Sequence, residues 1–264
     1  MLPDVHVIIP ARYASTRLPP AKALADIHGM PMLEHVYRRA MKAGVKSVTV
    51  ATDHLAIVQA SKSMGADALM TSVLHESGTE RVAEAIDLLG LPDDAIVINL
   101  QGDEPLINPY RISILANDLL HNESIQVSTL AEQLTTCDDY LDPNVVKVVL
   151  NKDNFALYFS RSPIPAIKGV AINQLEEHQI PKQSYKHIGL YAYRASYLRQ
   201  LINLPVADIS LSESLEQLNI LWNGEPIHVV EVKDQRPSIS VDTLEDLEHV
   251  RQLIESRPEL LDEL

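Results

Sequence analysis

The sequence predicts an α/β fold in which a mostly parallel sheet is covered by helices on both faces. Short β-branched runs, such as those at 5–9 and 96–99, alternate with helical segments through the first half of the chain. Continuous apolar runs of this length are typical of strands that are buried on both faces. The 264 residues, 46% of them hydrophobic, suffice for one large domain or two interleaved lobes.

Strands and helices of the first half have clear start and stop signals. Gly44 and Gly65 each follow a helical pattern and predict its end. Ser77 and Glu80 form a capping box that predicts a helix start. The predicted elements are, in order, the strand VHVIIP, the helix MLEHVYRRAMKAG, the strand VKSVTVATD, the helix LAIVQASKSMG, the strand ADALMTS, the helix TERVAEAIDLLG and the strand AIVINLQGDEP.

From about Ser128 the pattern changes to strand-like runs with few helices between them. This predicts a smaller mixed or antiparallel lobe built from STLAEQL, NVVKVVLN, FALYFSRSPIP and KHIGLYAYR. The polar segment between Ala166 and Ser184 has no clear period, and we interpret it as a lid. The chain closes with the predicted helix SESLEQLNILW, the strand EPIHVVEVK and the helix TLEDLEHVRQLI, which Thr243 and Asp246 cap.

We therefore expect one domain over 1–264 with three parts. Residues 1–127 form most of the main sheet, residues 128–210 form the smaller lobe, and residues 211–264 return to the main sheet. This arrangement is an interpretation of the pattern of elements.

Composition excludes several classes of function. The formal net charge of −14 argues against binding to nucleic acid or to an anionic membrane, since phosphate neutralisation needs a basic face. The only cysteine, Cys137, has no partner for a disulfide within the chain, and the N-terminal MLPDVH lacks the features of a leader peptide. No apolar stretch approaches the roughly 20 residues of a membrane-spanning helix. We expect a protein of the reducing cytoplasm.

A basic loop after the first strand points to an anionic ligand. Arg12, Arg17 and Lys22 follow the apolar run at 5–9, and acidic residues follow the strand of NLQGDEP. In an open α/β sheet both loops emerge at the carboxyl ends of the strands, where ligands bind. Cations facing carboxylates commonly hold a metal-bound polyphosphate. The alternative is a set of solvated loop charges. The sequence has neither a P-loop nor the glycine fingerprint of dinucleotide-binding domains.

Several other polar residues have two interpretations from the sequence alone. Asp53 resembles a ribose-binding acid, but we expect it to be a helix N-cap, because the glycines are missing. The strand KHIGLYAYR places His187 and Tyr191 on one face, which fits a substrate wall or an ordinary amphipathic strand. Asp242 reads first as an acid beside a helix start. Glu216 and Gln217 flank a predicted apolar stripe of Leu211, Leu215, Leu218 and Trp222.

Seven motifs in this order resemble the 3-deoxy-manno-octulosonate cytidylyltransferase family. They are IPARYASTRLP, HESGTER, NLQGDEP, ALYFSR, KHIGLYAYR, SLEQLNILW and VDTLEDLE. The resemblance runs over nearly the whole chain. It implies a Rossmann-like fold of the nucleotide-diphospho-sugar transferase type, with a smaller lobe for substrate and dimerisation. It also implies a Mg²⁺-dependent reaction of CTP with 3-deoxy-D-manno-octulosonate (Kdo), giving CMP-Kdo and pyrophosphate for lipopolysaccharide biosynthesis.

The resemblance also implies a role for each candidate residue. In the nucleotide half, Arg12, Arg17 and Lys22 would hold the triphosphate of CTP, and Asp103 and Asp242 would bind Mg²⁺. The residues implied in contacting the rest of the nucleotide are Thr71, Ser77, Gly78 and Gln101. Those implied around Kdo are Gln101, Arg161, His187, Tyr191, Glu216 and Gln217. The family also implies a homodimer, formed through strands of the smaller lobe.

The chain departs from the family pattern at three places. The first loop reads Leu18-Pro-Pro-Ala-Lys22, one residue longer than usual and without its glycine, which predicts a different orientation for Lys22. Ser240 and Leu244 replace a glycine and a proline around Val-Asp-Thr. The segment after Pro165 reads AIKGVAINQ, without the usual aromatic residue and Arg-Asp pair.

These departures leave two alternatives beside the Kdo enzyme. One is a cytidylyltransferase for another acidic ketose, such as an amino-substituted Kdo or a nonulosonate. The other is a non-catalytic relative that binds CTP or a CMP-sugar.

Overall fold

The computed structural model describes residues 2–14, 18–170, 175–233 and 239–262. Arg17 and the 171–174 part of the predicted lid lie outside these described residues. The chain divides into two compact units. The first comprises Met1–Asn117, Ala192–Ile202 and Gln235–Leu264, and the second comprises Asp118–Tyr191 and Asn203–Asp234.

The first unit contains the alternating strands and helices that the sequence predicts. In chain order these are β1 (Val5–Ala11), the short β2 (Asp26–Ile27) and β3 (Met30–Pro31), α1 (Met32–Lys42), β4 (Ser47–Thr52), α2 (Leu55–Ser63), β5 (Asp67–Met70), α3 (Gly78–Leu88), β6 (Ile96–Asn99) and α4 (Pro109–His121). The sequence analysis identified neither the β2–β3 hairpin nor α4. Residues of α4 from Asp118 onward belong to the second unit.

The remaining elements complete both units. They are β7 (Val127–Gln133), α5 (Cys137–Leu141), β8 (Lys147–Leu150), β9 (Ala156–Ser160), β10 (Tyr185–Arg194), α6 (Ala195–Leu201), α7 (Asp208–Glu213), α8 (Gln217–Trp222), β11 (His228–Glu231), α9 (Leu244–Ser256) and α10 (Glu259–Asp262). Of these, α6, α9, α10 and the last residues of β10 belong to the first unit.

A parallel sheet organises the first unit, as predicted. Its strand order is β5-β4-β1-β6, and each neighbouring pair is parallel. Every residue of β1 and β6 is buried, which explains why these strands are apolar without alternation. The register pairs Ala11 with Thr52 and Thr52 with Met70, so the strands end at one common edge.

The second unit has a mixed strand arrangement, also as predicted. β7 and β11 pair in parallel, whereas β8 is antiparallel to both β9 and β10. Within this unit, residues His228–Glu231 of β11 pair with Ser128–Ala131 of β7. An apolar strand carries no sequence signal for which neighbour it joins.

The helix predicted over 212–222 is interrupted, which corrects the sequence analysis. α7 ends at Glu213, Ser214 adopts a left-handed conformation with φ 51°, and α8 begins at Gln217. The predicted apolar stripe therefore does not form. Leu215 and Leu218 are buried, whereas Leu211 and Trp222 are exposed, because a left-handed residue changes the direction of the chain between the two helical faces.

Candidate active site

The carboxyl edge of the parallel sheet carries the predicted nucleotide residues. Arg12 follows β1 and is exposed, Thr71 follows β5, and Gln101 and Asp103 follow β6. Ligands of open α/β sheets bind at this edge, outside the carboxyl ends of the strands. This location is where the sequence analysis expected it.

Lys22, Asp103 and Asp242 come together at this edge. The Lys22 Nζ donates to Asp103 Oδ2 at 2.6 Å and to Asp242 Oδ1 at 2.9 Å. The longer first loop therefore does not remove Lys22 from the predicted residues. Burial by itself disfavours the charged ammonium, but the two carboxylates outweigh it and raise the pKa of Lys22 above its usual value.

An apolar cluster positions these three charged side chains. Each charged residue has an apolar neighbour along the chain: Leu18 precedes Lys22, Leu106 follows Asp103, and Val241 precedes Asp242. These three apolar side chains are buried in one cluster. The Val241 N–H also donates to the Asp103 carbonyl at 2.9 Å. Packing of the apolar neighbours therefore brings together charges that are 81 and 220 positions apart in the chain.

The helix start beside Asp242 is formed as predicted. Thr243 is the N-cap of α9, and its hydroxyl accepts from the Asp246 N–H while the Asp246 carboxylate accepts from the Thr243 N–H. The same carboxylate accepts from the Asp242 N–H at 3.0 Å. The backbone of Asp242 is thereby held, and its side chain points to Lys22.

Arg81 joins the ends of three strands and was missed by the sequence analysis. It is buried, and its guanidinium donates to Asp53 Oδ2 at 3.0 Å and to Thr71 Oγ1 at 2.6 Å. Asp53 Oδ1 accepts from the Tyr13 N–H at 2.9 Å. The expectation that Asp53 caps a helix is wrong, because His54 is the N-cap of α2. Asp53 is instead the part-buried ion-pair partner of Arg81. The only sequence signal for Arg81 was its place in the motif HESGTER.

Ser77 and Gly78 lie beside Gln101. Ser77 is the N-cap of α3, as predicted, although Glu80 accepts from the Glu76 N–H instead of completing the capping box. A Cβ added at Gly78 would lie 3.3 Å from Pro10 Cγ and 3.4 Å from the Gln101 amide. Any larger residue at position 78 would therefore require the side chain of Pro10 or Gln101 to shift by a few tenths of an ångström.

Glu84 closes the loop between β5 and α3. Its Oε2 accepts from the Ser72 N–H at 2.7 Å and contacts His75 Nε2 at 2.5 Å. Burial would raise the pKa of Glu84, but these contacts outweigh burial and lower it. The loop that carries Thr71 and leads to Ser77 is thus held at both ends.

In the second unit, His187 and Tyr191 lie together on one face of β10, as the period of two predicted. Their ring centroids are 5.5 Å apart, and His187 also makes an edge contact with Phe159. His187 Nε2 lies 3.0 Å from Thr129 Oγ1, and the same hydroxyl lies 3.2 Å from the Ile188 carbonyl and 2.8 Å from the Leu190 carbonyl. His187 and Thr129 therefore form a hydrogen-bonded pair, in which the tautomer of the ring decides which group donates.

Burial controls the ionisation of this pair. Desolvation lowers the pKa of His187 from 6.5 to about 3, so the ring is neutral at physiological pH. Burial also raises the pKa of the Tyr191 phenol well above its usual value, and the charge of Glu216 adds to this effect. The face of β10 therefore offers neutral hydrogen-bonding groups.

Arg161 contacts the turn between α7 and α8. Its Nε donates to the Glu213 carbonyl at 2.7 Å and its Nη1 to the Pro143 carbonyl at 3.0 Å, while its backbone N–H donates to the Glu213 carboxylate. The predicted Glu216 and Gln217 follow this turn, and Gln217 is buried whereas Glu216 is exposed. Arg161 thus positions the segment that carries both residues.

Two further findings concern metals and membranes. Among the described residues, no group of three or more His, Cys, Asp or Glu side chains is arranged to hold a metal ion. Asp103 and Asp242 are a pair, and one or two carboxylates together with substrate phosphates are a usual ligand set for Mg²⁺. Over the ranges that the structure describes, none of the helices is long and apolar enough to cross a membrane.

Known proteins with similar sequences share a common name. The family model described as Cytidylyltransferase matches residues 6–227. A 3-deoxy-manno-octulosonate cytidylyltransferase from Histophilus somni (strain 2336) is 45% identical over 252 residues, which cover 94% of this chain and 97% of the relative. The enzyme of the same name from Coxiella burnetii (strain Dugway 5J108-111) is 47% identical over 248 residues, with 94% and 98% coverage.

Solved structures agree with the sequence comparisons. The structure of CMP:2-keto-3-deoxy-manno-octonic acid synthetase complexed with CTP has a TM-score of 0.85 and 41% identity, covering 96% of this chain and 98% of that chain. A nucleotidyl transferase from Methanothermobacter, 15% identical with a TM-score of 0.61 over 96% and 98% of the two chains, shares the fold. From these matches and the site geometry, the chain belongs to the 3-deoxy-manno-octulosonate cytidylyltransferase family.

Proposed function

We propose that this protein transfers the cytidylyl group of CTP to Kdo, giving CMP-Kdo and pyrophosphate for lipopolysaccharide biosynthesis. The observation that carries the proposal is family membership over 94% of the chain at 45–47% identity. The convergence of Lys22, Asp103 and Asp242 at the ligand-binding edge of the sheet supports it independently.

The first unit binds the nucleotide in this proposal. Arg12, Arg17 and Lys22 hold the triphosphate, because cations are the natural partners of phosphate oxygens. Arg81 keeps the β5–α3 loop in position through Thr71 and Ser72. The residues proposed to contact the rest of the nucleotide are Thr71, Ser77, Gly78 and Gln101.

Mg²⁺ is the proposed cofactor, with Asp103 and Asp242 as its ligands. The two carboxylates fit a cation, since an ammonium nitrogen lies within hydrogen-bond distance of both. When bound there, Mg²⁺ supplies charge neutralisation at the phosphate and lowers the barrier to attack by an anionic sugar. The protein contributes position and electrostatic stabilisation, and no covalent enzyme intermediate is required.

The second unit supplies the groups proposed to bind Kdo. His187 is neutral, and a neutral imidazole is suited to form a hydrogen bond with a sugar hydroxyl. The Arg161 guanidinium lies beside the turn at Ser214, and a guanidinium suits the sugar carboxylate. The residues proposed around Kdo are Gln101, Arg161, His187, Tyr191, Glu216 and Gln217.

The enzyme is further proposed to act as a homodimer in the cytoplasm. Several large apolar side chains of the second unit are exposed, namely Leu157, Val206, Leu211 and Trp222. A dimer interface that covers them would remove apolar surface from water. Light scattering coupled to size exclusion measures the oligomeric state. A monomer at micromolar concentration would contradict this part of the proposal.

The central test is pyrophosphate release from CTP, Mg²⁺ and Kdo. ATP, UTP and GTP replace CTP in one set of controls, and N-acetylneuraminate replaces Kdo in another. We expect release with CTP and Kdo alone. Release with a different acidic ketose and none with Kdo would reassign the acceptor. CTP binding without release under any condition would favour a non-catalytic relative.

Variants localise the activity to the proposed metal ligands. Asp103→Asn and Asp242→Asn should each lower kcat by at least about a hundredfold, because each removes a charged ligand. Asp93→Asn is the matched control, since Asp93 is a surface partner of Arg199 in the same unit. Near wild-type kcat in both ligand variants would refute the metal assignment.

A further inference from the structure

Lys22 takes the space in which the proposed metal would be bound. Its Nζ lies 2.6 Å from one Asp103 oxygen and 2.9 Å from one Asp242 oxygen. Mg²⁺ coordinated by the same oxygens needs distances of about 2.1 Å to each of them. An ammonium group and a metal ion cannot both lie between these carboxylates.

We infer that Lys22 is a resident counter-ion that competes with the metal, and that nucleotide binding ends the competition by drawing the ammonium to the triphosphate. The inference rests on the proposed function, because it takes Asp103 and Asp242 as the metal ligands. It adds to that function a role for Lys22 in the protein without nucleotide.

The backbone contacts favour movement of the lysine over movement of the carboxylates. The main chain of Asp103 is bonded to Val241, and the N–H of Asp242 is held by Asp246. Lys22 reaches both carboxylates through a four-carbon stem with rotatable bonds. Its side chain is 23% exposed, so the ammonium has a path toward solvent at the edge of the sheet. We therefore expect the exchange to proceed by a change of the Lys22 rotamer.

The electrostatics give this exchange a direction. Without a cation between them, the carboxylates of Asp103 and Asp242 repel each other. The Lys22 ammonium offsets that repulsion. A triphosphate offers the ammonium another anion, while a divalent ion offers the carboxylates more charge than the ammonium does. Nucleotide and metal should therefore each raise the affinity of the protein for the other, by the same factor.

The first experiment measures Mn²⁺ binding to the nucleotide-free protein from the electron paramagnetic resonance signal of free Mn²⁺. Lys22→Met and Lys22→Gln should bind Mn²⁺ about tenfold more tightly than the wild type, since each of the two part-exposed ion pairs contributes modestly. Lys46→Met is the matched control, because it removes a lysine that pairs with Asp4 in the same unit. Its Mn²⁺ affinity should equal that of the wild type.

The second experiment needs no variant. Brief acetylation of the wild-type protein, quantified for each lysine by peptide mass spectrometry, is compared with and without saturating Mn²⁺. Labelling of Lys22 should rise several-fold when Mn²⁺ expels the ammonium from the carboxylates, whereas labelling of Lys46 should not change.

The outcomes separate this inference from the proposed function. Equal Mn²⁺ affinity in the wild type and both Lys22 variants, or unchanged labelling of Lys22, would overturn the competition. The metal assignment would stand in that case if Asp103→Asn still weakened Mn²⁺ binding. If Mn²⁺ bound to none of the proteins, even with CTP, the metal assignment itself would fail and the competition with it.

Discussion

Lys147 is a buried lysine whose replacement should measure the strength of one hydrogen-bonded turn in the second unit. The residue is 0% exposed, and its Nζ donates to the carbonyls of Asp142 at 2.8 Å, Val145 at 2.6 Å and Arg161 at 2.6 Å. Burial lowers the pKa of Lys147 below its usual value. The perturbation is Lys147→Met, which keeps much of the side-chain volume and removes the donors.

The size of the effect follows from the three acceptors. The Asp142 carbonyl also accepts from the Val145 N–H, so it keeps a partner in the variant. Each of the other two carbonyls loses a charged donor, at a cost of about 1–3 kcal/mol. Removing a buried charge offsets part of this. We expect a net loss of about 3 kcal/mol in the free energy of unfolding.

Urea unfolding followed by circular dichroism measures this loss. Lys152→Met is the matched control, because Lys152 is 88% exposed and pairs only with its neighbour Asp153 among its described ion pairs. The control should change stability by less than about 0.5 kcal/mol. A loss below about 1 kcal/mol in Lys147→Met would refute the reasoning, since it would mean that water replaces the ammonium at no great cost.

Three further predictions concern both units. Arg81→Met should cost about 2–4 kcal/mol, because it leaves Oδ2 of the part-buried Asp53 carboxylate without its charged partner, and adding Asp53→Asn should recover at least about 1 kcal/mol in the same urea assay. The pKa of His187 is lowered from 6.5 to about 3. His187 therefore leaves the free energy of unfolding unchanged above pH 6.5 and lowers it as the pH falls below 6.5, because the unfolded state takes up a proton that the folded state does not. With the partial exposure of His187 taken into account, the free energy of unfolding should fall by about 2 kcal/mol between pH 6.5 and about pH 4.5. This fall should be absent in His187→Phe. The same dependence of unfolding free energy on pH in the variant would contradict the lowered pKa of His187. Thr243→Ala should cost about 1 kcal/mol through loss of the N-cap, and a variant as stable as the wild type would argue against the cap.

The sequence was sufficient to predict those features that depend on residues close together along the chain. The caps at Ser77 and Thr243 depend on groups within three positions along the chain, and both are found. The buried strand β1 was predicted because a two-sided environment selects continuous apolar residues. The left-handed turn at Ser214 was missed, because a serine carries little preference for that conformation and the apolar spacing around it fits one continuous helix.

The candidate site was predicted in part, through the resemblance of its motifs to those of a family. Lys22, Asp103 and Asp242 were all named from the sequence, yet their mutual ion pairs were not. The buried Arg81 and its partner Asp53 were not recognised as a pair. Charged residues in loops look alike in a sequence, whether they are solvated or held in a buried network, because the difference lies in what packs around them.

By itself the sequence determined the strands, the helix caps, the kind of fold and the motifs that resemble one family of enzymes. These features depend on side chains that are close together along the chain. Only the tertiary structure decided which cation meets which carboxylate, because packing of Leu18, Leu106 and Val241 brings distant segments together. It also decided that Lys147 is buried among backbone carbonyls. Long-range contacts are chosen by the burial of apolar surface over the whole unit, and no short stretch of sequence records that choice.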